Sequence, residues 1–178
     1  MAEAAVELRA WADSDDRDRG RLAEIERDVD WGTPAGVTPF QFGGHSDWRV
    51  LVRENGQVVS TVGILERPVL VGGRALVVAG IAGVMTAAGY QGRGHASAAM
   101  RQAAVFLTTE RGMTFALLVC WPSRVAFYQR LGWRVHPGQV LCEQPGGRVT
   151  IELMQVMVLD GNRCPLPNAR IDLQGFPW

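Results

Sequence analysis

The sequence predicts an α/β protein of the mixed α+β kind, in which helices flank a central mixed β-sheet. Helical and strand-like segments alternate along the chain, two tight turns join three strands into an antiparallel meander, and an apolar run of strand length follows an alanine-rich helix. With 178 residues and 47% hydrophobic content, the chain is long enough for one ordinary core. We therefore expect a single domain over residues 1–178.

Composition argues against several classes of partner. Basic and acidic residues both number 18, so no net charge recruits nucleic acid or an anionic membrane. The N-terminus lacks a basic segment followed by an apolar core, and no apolar run approaches the roughly 18 residues that span a bilayer. We expect a cytoplasmic protein with neither nucleic-acid nor membrane partners.

The cysteine and histidine patterns predict no metal site. The cysteines are odd in number and lack CxxC spacing, which argues against a disulfide framework or a zinc knuckle, so we expect reduced thiols. They are Cys120, Cys142 and Cys164. The histidines stand far apart without acidic or thiol companions, and we expect them on the surface or in loops. They are His45, His95 and His136.

The first third of the chain is typical of a strand, a helix and a long loop. Residues 4–10 alternate as a strand does, and residues 13–29 carry apolar side chains at helical spacing after Asp and Ser cap candidates. Residues 31–47 are rich in Gly and Pro but also hold large aromatic residues. These are Trp31, Phe40 and Phe42. We expect a loop of this composition to pack over another part of the protein and not to be a solvated linker.

Two turns then predict a three-stranded antiparallel meander. Asn55-Gly56 tolerates positive φ and separates two β-branched runs, which is the clearest hairpin signal in the sequence. A second turn at residues 71–73 leads into the strand RALVVAGIAGVMT.

The second half predicts a helix over residues 94–112, a buried strand over 114–120 and one long strand over 148–160. Between the two strands, Ser123 is a candidate N-cap of a short helix and Gly132 its stop.

The stretch YQGRGHA, residues 90–96, lies between a predicted strand and a predicted helix. Unpaired amides at a helix N-terminus attract anions, and glycines let a phosphate approach the backbone. Arg93 adds a cation at the rim, so a pyrophosphate is the natural ligand. The pattern matches neither a Walker loop nor GxGxxG. A glycine turn selected only for tight packing is the alternative.

The pattern Gln91-x-x-Gly94-x-Ala96 resembles the acetyl-CoA motif of the GCN5-related N-acetyltransferase (GNAT) superfamily. A second segment, AFYQRLGW over residues 126–133, is similar to the family's usual FYxxLGF, and the order of elements agrees over nearly the whole chain. The resemblance implies the GNAT fold, a central mixed sheet of about seven strands that is splayed between the fourth and fifth strands and flanked by about four helices. It also implies acetyl-CoA as cosubstrate and no metal.

The resemblance further implies which residues bind the cofactor. The backbone of Val84, Met85 and Thr86 would pair with the pantetheine arm in the splayed opening, as an added strand would. The diphosphate would be wrapped by Gln91, Gly92, Arg93, Gly94, His95 and Ala96. The amide of Met85 would donate to the oxyanion of the tetrahedral intermediate.

Tyr128 resembles the tyrosine that protonates the leaving CoA thiolate in many family members. A phenol held near the thioester can donate that proton, although Tyr128 could instead pack its ring as Phe127 does. Many relatives carry an acidic residue on the central strand, where this chain has Ala82. Glu66, Glu152 and a water relay are the remaining options for the base.

The C-terminal sequence ARIDLQGFPW resembles the aminoglycoside 2′-N-acetyltransferase branch, in which a C-terminal tryptophan and its carboxylate line the acceptor site. It implies a docked tail and an acceptor site that includes Ala82, Phe40, Phe42, Trp121 and Trp178. The alternative for Trp178 is a plug in the core. Since residues 32–43 hold no acidic side chain, a less cationic amine than an aminoglycoside fits better.

Three functions therefore compete. The leading one is acetyl transfer to a primary amine of a small molecule, such as an amino sugar or the 2′-amine of an aminoglycoside, by direct attack in a ternary complex. An acyl-cysteine at Cys120 is disfavoured because no basic neighbour lowers its pKa. A protein or peptide N-acetyltransferase and a non-catalytic acyl-CoA sensor are the alternatives. The apolar run MQVMVL, residues 154–159, also offers an edge for a homodimer.

Overall fold

The computed structural model of the chain describes residues 4–38, 40–161 and 165–178, which divide into two compact units. The first unit consists of Met1–Trp31, Ser46–Leu65 and Ile81–Arg111. The second consists of Gly32–His45, Glu66–Gly80 and Gly112–Trp178. Two long strands, β3 (Gln57–Val71) and β4 (Arg74–Thr86), contribute one part to each unit.

The first unit contains an antiparallel arrangement of strands and two helices. Strand β1 pairs with β2, and β2 pairs with the first part of β3. The predicted hairpin is confirmed, because Asn55 and Gly56 have φ of 51° and 75° and connect β2 to β3. The elements are β1 (Ala5–Ala10), α1 (Asp16–Asp28), β2 (Trp48–Glu54) and α2 (His95–Val105), which a π-helical turn (Phe106–Glu110) extends.

Helix α1 begins and packs as its sequence predicts. The side chain of Asp15 accepts a hydrogen bond from the amide of Asp18 at 2.8 Å, which caps one of the free N–H groups of the first turn. One apolar stripe of α1 packs against β2, β3 and β4 in a buried cluster. That cluster includes Leu22, Ile25, Leu51, Val58 and Met85.

The second unit holds the remaining strands, in the order β6-β9-β5-β4-β3-β10-β7-β8. These are β5 (Phe115–Cys120), β6 (Arg134–Val135), β7 (Val140–Gln144), β8 (Gly147–Thr150), β9 (Gln155–Asp160) and β10 (Ile171–Asp172). After β5, a 3₁₀ turn (Pro122–Arg124) leads into the short helix α3 (Val125–Gln129). Strands β4 and β5 are parallel, as are β7 and β10, so the sheet is mixed as predicted.

Strands β4 and β5 pair over only two positions. Ala79 faces Ala116 and Gly80 faces Leu117, and the pairing ends there although both strands continue. A short parallel ladder between the fourth and fifth strands agrees with the splayed sheet that the resemblance implies. The described residues form ten strands and three α-helices, whereas the resemblance implies about seven and about four.

Three expectations about individual elements are wrong. The single strand over 148–160 is two strands, because β8 ends at Thr150 and β9 begins at Gln155. Strand β9 pairs with β5 on one edge and with β6 on the other, so residues 154–159 do not provide the free edge that a homodimer would need. Ser123 lies inside the 3₁₀ turn and caps no helix.

The histidine expectation holds for His45, which is exposed, and for His136, which lies in the loop between β6 and β7 although it is only 5% exposed. It is wrong for His95, which begins helix α2 and is 8% exposed. The two buried rings find polar partners inside the protein, His95 at Glu54 and His136 at the carbonyl of Ala169. Cys120 and Cys142 are free thiols, and Cys164 lies outside the described residues. In the described part of the chain, none of the helices has the length and apolarity to cross a membrane.

An ion pair between α1 and β2 makes the stability of the protein depend on pH in the acid range. The carboxylate of Asp18, whose side chain is 3% exposed, accepts from Arg53 at 2.9 and 2.5 Å. The hydrogen bond from Arg53 is the main reason that the pKa of Asp18 lies below its ordinary value of 3.8. The charged form is therefore stabilised by folding, and that stabilisation is lost as pH falls through the depressed pKa.

We expect Asp18→Asn to lower the urea midpoint at neutral pH, and the difference from wild type to shrink in acid. Protonation of Asp18 removes the same charge from the wild-type protein, which explains the convergence. Asp16→Asn is the control, since Asp16 lies in the same helical turn but is exposed. A difference between Asp18→Asn and wild type that stays constant down to the lowest pH would contradict the assignment.

Candidate functional site

The turn that connects β4 to α2 is open and rich in left-handed glycines. Gly89, Gly92 and Gly94 have φ of 79°, 75° and 85°, and a Cβ added to any of them would meet nothing within 4 Å. Backbone conformation, and not tight packing, therefore requires glycine at these positions. The alternative of a turn selected only for packing does not agree with this open space.

Helix α2 presents its first amides to this turn. Gly94 is its N-cap residue and has no side chain to accept from them, while the carbonyl of Gly94 accepts from Ala98 at 2.9 Å. Gln91, Gly92, Arg93 and Gly94 are exposed, whereas His95 is buried and Ala96 half-buried. The free N–H groups and the helix dipole make this end of α2 suitable for an anion.

A carboxylate at the end of β2 fixes the turn. Glu54 contacts Arg93 at 3.3 Å through one oxygen and Nε2 of His95 at 3.1 Å through the other. Arg93 also donates to the carbonyl of Gly89 at 2.7 Å, and its guanidinium lies 5.0 Å from the ring centroid of Tyr90. The sequence argument missed Glu54, which is about 40 residues from its partners and belongs to no motif, and it gave no role to Tyr90, the first residue of the YQGRGHA stretch.

The last residues of β4 are largely covered by the rest of the first unit. Met85 as a whole is 3% exposed, and its side chain packs in the cluster with α1, so this side chain is not available to a ligand. Ser60 Oγ donates to the Met85 carbonyl at 2.7 Å and lies 2.8 Å from Thr86 Oγ1. Gln91 Nε2 reaches the Thr86 carbonyl at 3.3 Å, which joins this strand to the glycine turn. Val84 and Ala82 are half-buried.

In the second unit, Tyr128 is a buried phenol. It is 8% exposed, and its ring makes edge contacts with Phe127 at 5.0 Å and with Trp133 at 6.4 Å between centroids. Burial is the main cause that raises the pKa of Tyr128 well above its ordinary value, with a further increase from Cys120. Tyr128 therefore keeps its proton at neutral pH, as a proton donor must.

Cys120 is a thiol that burial keeps protonated. It ends strand β5, is 7% exposed, and burial raises its pKa to about 11. Since the thiolate is the nucleophilic form, this environment disfavours an acyl-cysteine intermediate.

The C-terminal tail is docked within the second unit. The Trp178 side chain is 5% exposed, and its Nε1 donates to the carbonyl of Leu117 at 3.3 Å. Arg67 holds the tail by donating to the carbonyls of Phe176 at 2.7 Å and Leu173 at 2.8 Å. The Arg67 guanidinium also lies 5.1 Å from the Trp178 ring centroid. The indole ring is therefore part of the packing of this unit.

The early loop carries aromatic residues that are only partly covered. Phe40 and Phe42 lie 6.4 Å apart between ring centroids, Phe40 is half-buried and Phe42 is 50% exposed. The amide of Gly43 donates to the carbonyl of Pro177 at 2.7 Å, which ties this loop to the C-terminal tail. Trp121 is half-buried, and a Cβ on Gly32 would lie 3.8 Å from it. The structure thus brings Gly43, the residue after Phe42, beside the tail.

The comparisons with known proteins agree on the fold. The family model for the acetyltransferase (GNAT) domain matches residues 41–136. Escherichia coli ElaA is similar, with a TM-score of 0.61, 15% identity and coverage of 89% of this chain and 100% of that chain. A GNAT family acetyltransferase from Brucella melitensis, in complex with acetyl-CoA, has a TM-score of 0.57 at 15% identity and covers 94% of each chain.

A GCN5-related N-acetyltransferase from Kribbella flavida has a TM-score of 0.54 at 21% identity. That match covers 76% of this chain but only 34% of the other, so this chain corresponds to about a third of that protein. No curated protein matches the chain. At these identities the likeness to solved structures shows the fold alone.

The contact between Gly80 and Trp178 leaves no space for a side chain at residue 80. A Cβ on Gly80 would lie 2.5 Å from Nε1 of Trp178, so Gly80→Ala must displace the indole ring. We expect a loss of about 1–3 kcal/mol in the free energy of unfolding, the usual cost of overpacking, together with a red shift of tryptophan fluorescence.

Gly20→Ala is the matched control. Gly20 lies in α1 with nothing within 4 Å of an added Cβ, so the same change is expected to raise stability by about 0.5–1 kcal/mol. Equal stability of Gly80→Ala and wild type would contradict the assigned packing of Trp178.

Proposed function

The chain belongs to the acetyltransferase (GNAT) family of acyl-CoA N-acyltransferases, and from this we propose that it acetylates a primary amine of a small molecule with acetyl-CoA. One observation carries the proposal: the open glycine turn before α2 leaves helix N-terminal amides available to a diphosphate. The acetyl-CoA complex of the Brucella melitensis neighbour is consistent with the same cosubstrate.

In this proposal the turn binds the diphosphate and strand β4 binds the pantetheine arm. Gln91, Gly92, Arg93, Gly94, His95 and Ala96 wrap the diphosphate, with Glu54 holding the turn in place. Amide and carbonyl groups of Val84, Met85 and Thr86 pair with pantetheine. The short β4–β5 ladder supports this role, because pairing with β5 ends at Gly80, before these residues.

The proposed reaction is direct attack in a ternary complex. The amine nitrogen attacks the thioester carbonyl carbon, forming a C–N bond and an oxyanion that the Met85 amide stabilises. Collapse of the intermediate breaks the C–S bond, and the CoA thiolate takes a proton from Tyr128. The nitrogen loses its extra proton to a base. Since Ala82 offers no carboxylate, Glu66, Glu152 and a water relay are the candidates for that base.

The acceptor is proposed to be less cationic than an aminoglycoside. Phe40, Phe42, Trp121 and Trp178 offer apolar contact, and residues 32–43 contain no acidic side chain to complement a polycation. An amino sugar or an aminoglycoside 2′-amine remains in the panel of acceptors to be tested. We also propose a cytoplasmic location, a single domain and a homodimer. Strand β9 does not offer a free edge for that dimer, because it pairs with β5 and β6.

A second candidate function is a non-catalytic acyl-CoA sensor. The observation that favours it is Ala82, where many relatives carry an acid. If the protein is such a sensor, it binds acetyl-CoA but releases no CoA thiol with any amine. Assays of thiol release with amino sugars, aminoglycosides, polyamines, aryl amines, amino acids and short peptides distinguish a small-molecule enzyme, a peptide enzyme and a sensor.

Tyr128→Phe tests the assigned acid. Removing the hydroxyl while keeping the ring is expected to lower kcat by about 100-fold, within the usual range for general acid catalysis, and to leave the dissociation constant of acetyl-CoA unchanged. Phe127→Leu is the packing control, because it disturbs the ring contact at 5.0 Å but keeps the hydroxyl, so it should lower Tm more than kcat. Unchanged kcat in Tyr128→Phe would remove Tyr128 from the mechanism.

A further inference from the structure

A buried serine of β3 holds the end of β4. Ser60 is 0% exposed, and its Oγ donates to the carbonyl of Met85 at 2.7 Å. The same oxygen lies 2.8 Å from Oγ1 of Thr86. A carbonyl only accepts, so the single hydroxyl proton of Ser60 is used there, and Thr86 must be the donor in the second contact. Ser60 therefore binds two consecutive residues of β4 at once.

The backbone of β4 is irregular just before this contact. Gly83 has φ of 52°, which lies in the left-handed region, although the residue stands inside the strand Arg74–Thr86. A left-handed residue inside a strand interrupts the regular ladder and re-aims the residues that follow it, as a β-bulge does. The last residues of β4 are therefore positioned by an anchor beyond the ladder, and Ser60 supplies it.

The peptide groups on either side of Thr86 are both fixed from β3. The first joins Met85 to Thr86, and Ser60 holds its carbonyl. The second joins Thr86 to Ala87, and the Ala87 amide donates to the carbonyl of Val59 at 2.8 Å. Both peptide bonds are trans, so the C=O and N–H bonds of each point in opposite directions. The N–H and the C=O of Thr86 itself therefore both point away from β3.

The edge of β4 to which these two groups point is accessible. Thr86 is half-buried, and the exposed side chain of Gln91 reaches its carbonyl there, with 3.3 Å between Nε2 and the oxygen. The ladder that β4 forms with β5 ends at Gly80, well before Thr86. A residue with both backbone groups on an open edge can exchange two hydrogen bonds with an extended chain that is added to the sheet.

We propose that Ser60 is a positioning residue for the acyl donor. By holding the Met85 carbonyl and the Thr86 hydroxyl, it aims the N–H and the C=O of Thr86 at the pantetheine arm. This inference rests on the proposed binding of acetyl-CoA and names the side chain that prepares the strand edge for the arm. Ser60 touches neither cofactor nor acceptor and acts through the backbone that it orients. Such preorganisation strengthens binding, because the edge is already ordered when the arm arrives.

Two ligands separate this role from a general loss of stability. The nucleotide half of CoA, 3′-phospho-ADP, carries the diphosphate without the pantetheine arm, whereas acetyl-CoA carries both. Calorimetry should show that Ser60→Ala weakens acetyl-CoA binding by about threefold to tenfold, which corresponds to one lost hydrogen bond, and leaves the affinity for 3′-phospho-ADP unchanged. A merely structural defect would weaken both ligands alike, and that result would overturn the proposal.

Thr61→Val is the matched control. Thr61 follows Ser60 in β3 and is also 0% exposed, but its Oγ1 has no hydrogen-bond partner among the described residues. Removing this hydroxyl takes an unmatched polar group out of the core, so Tm should stay equal or rise, and the affinity for both ligands should stay as in the wild-type protein. An equal loss of acetyl-CoA affinity in Thr61→Val and Ser60→Ala would assign the effect to the packing of β3 and contradict the role of Ser60.

Amide exchange in the wild-type protein tests the same geometry without a substitution. The Thr86 N–H points to an open edge in the free protein, so NMR should find that acetyl-CoA slows its exchange by about tenfold or more. The nucleotide half alone should leave the exchange of this amide unchanged. An unprotected Thr86 amide in the presence of saturating acetyl-CoA would show that the arm does not pair there.

These measurements need no turnover, so they separate this proposal from the proposed acetyl transfer. A protein that binds acetyl-CoA but releases no thiol would still show the role of Ser60. If the wild-type protein binds no acetyl-CoA, the proposed function and the role of Ser60 are both wrong. Equal acetyl-CoA affinity of Ser60→Ala and the wild-type protein overturns the role of Ser60 alone.

Discussion

The open left-handed turn between Gly89 and Gly94 is the feature on which the account of cofactor binding depends. Three residues with positive φ allow the chain to leave β4 and begin α2 without placing a side chain over the first amides of the helix. A Cβ would strain the backbone at each position. The amides and the dipole of α2 are consequently available to an anion.

The turn is held by a carboxylate from another strand. Glu54 engages Arg93 and His95 together, and it ends β2 just before the Asn55-Gly56 hairpin. The geometry of the hairpin therefore fixes where Glu54 lies, and Glu54 fixes the turn. Arg93 donates hydrogen bonds to Gly89 and Glu54, and these bonds orient its guanidinium before a diphosphate binds.

The second unit depends on a different contact, in which the ring of Trp178 packs against strand β4 at Gly80, where there is no side chain. Trp178 occupies the space that a Cβ would fill, and Arg67 anchors the backbone that leads to it. The indole stabilises this unit by packing. Tyr128 belongs to the same unit, where burial keeps its phenol protonated.

Local signals in the sequence predicted the fold well, and distant contacts could not be predicted from it. The Asn55-Gly56 turn, the amphipathic helix α1 and the glycine turn each follow from neighbouring residues. The break between β8 and β9 was missed because Ile151 and Met154 are buried outside any strand, so an apolar pattern indicated burial and not pairing. Glu54 has no sequence signature, since its importance comes from Arg93 in the glycine turn and His95 in α2.

Affinity for two forms of the acyl donor shows whether the glycine turn binds a diphosphate. Calorimetric titration of the wild-type protein compares acetyl-CoA with acetyl-pantetheine, which has the thioester arm but lacks the diphosphate and nucleotide. If the glycine turn and the N-terminus of α2 bind the diphosphate, acetyl-CoA binds tightly and acetyl-pantetheine far more weakly. Equal affinity for the two donors would show that the turn binds no phosphate.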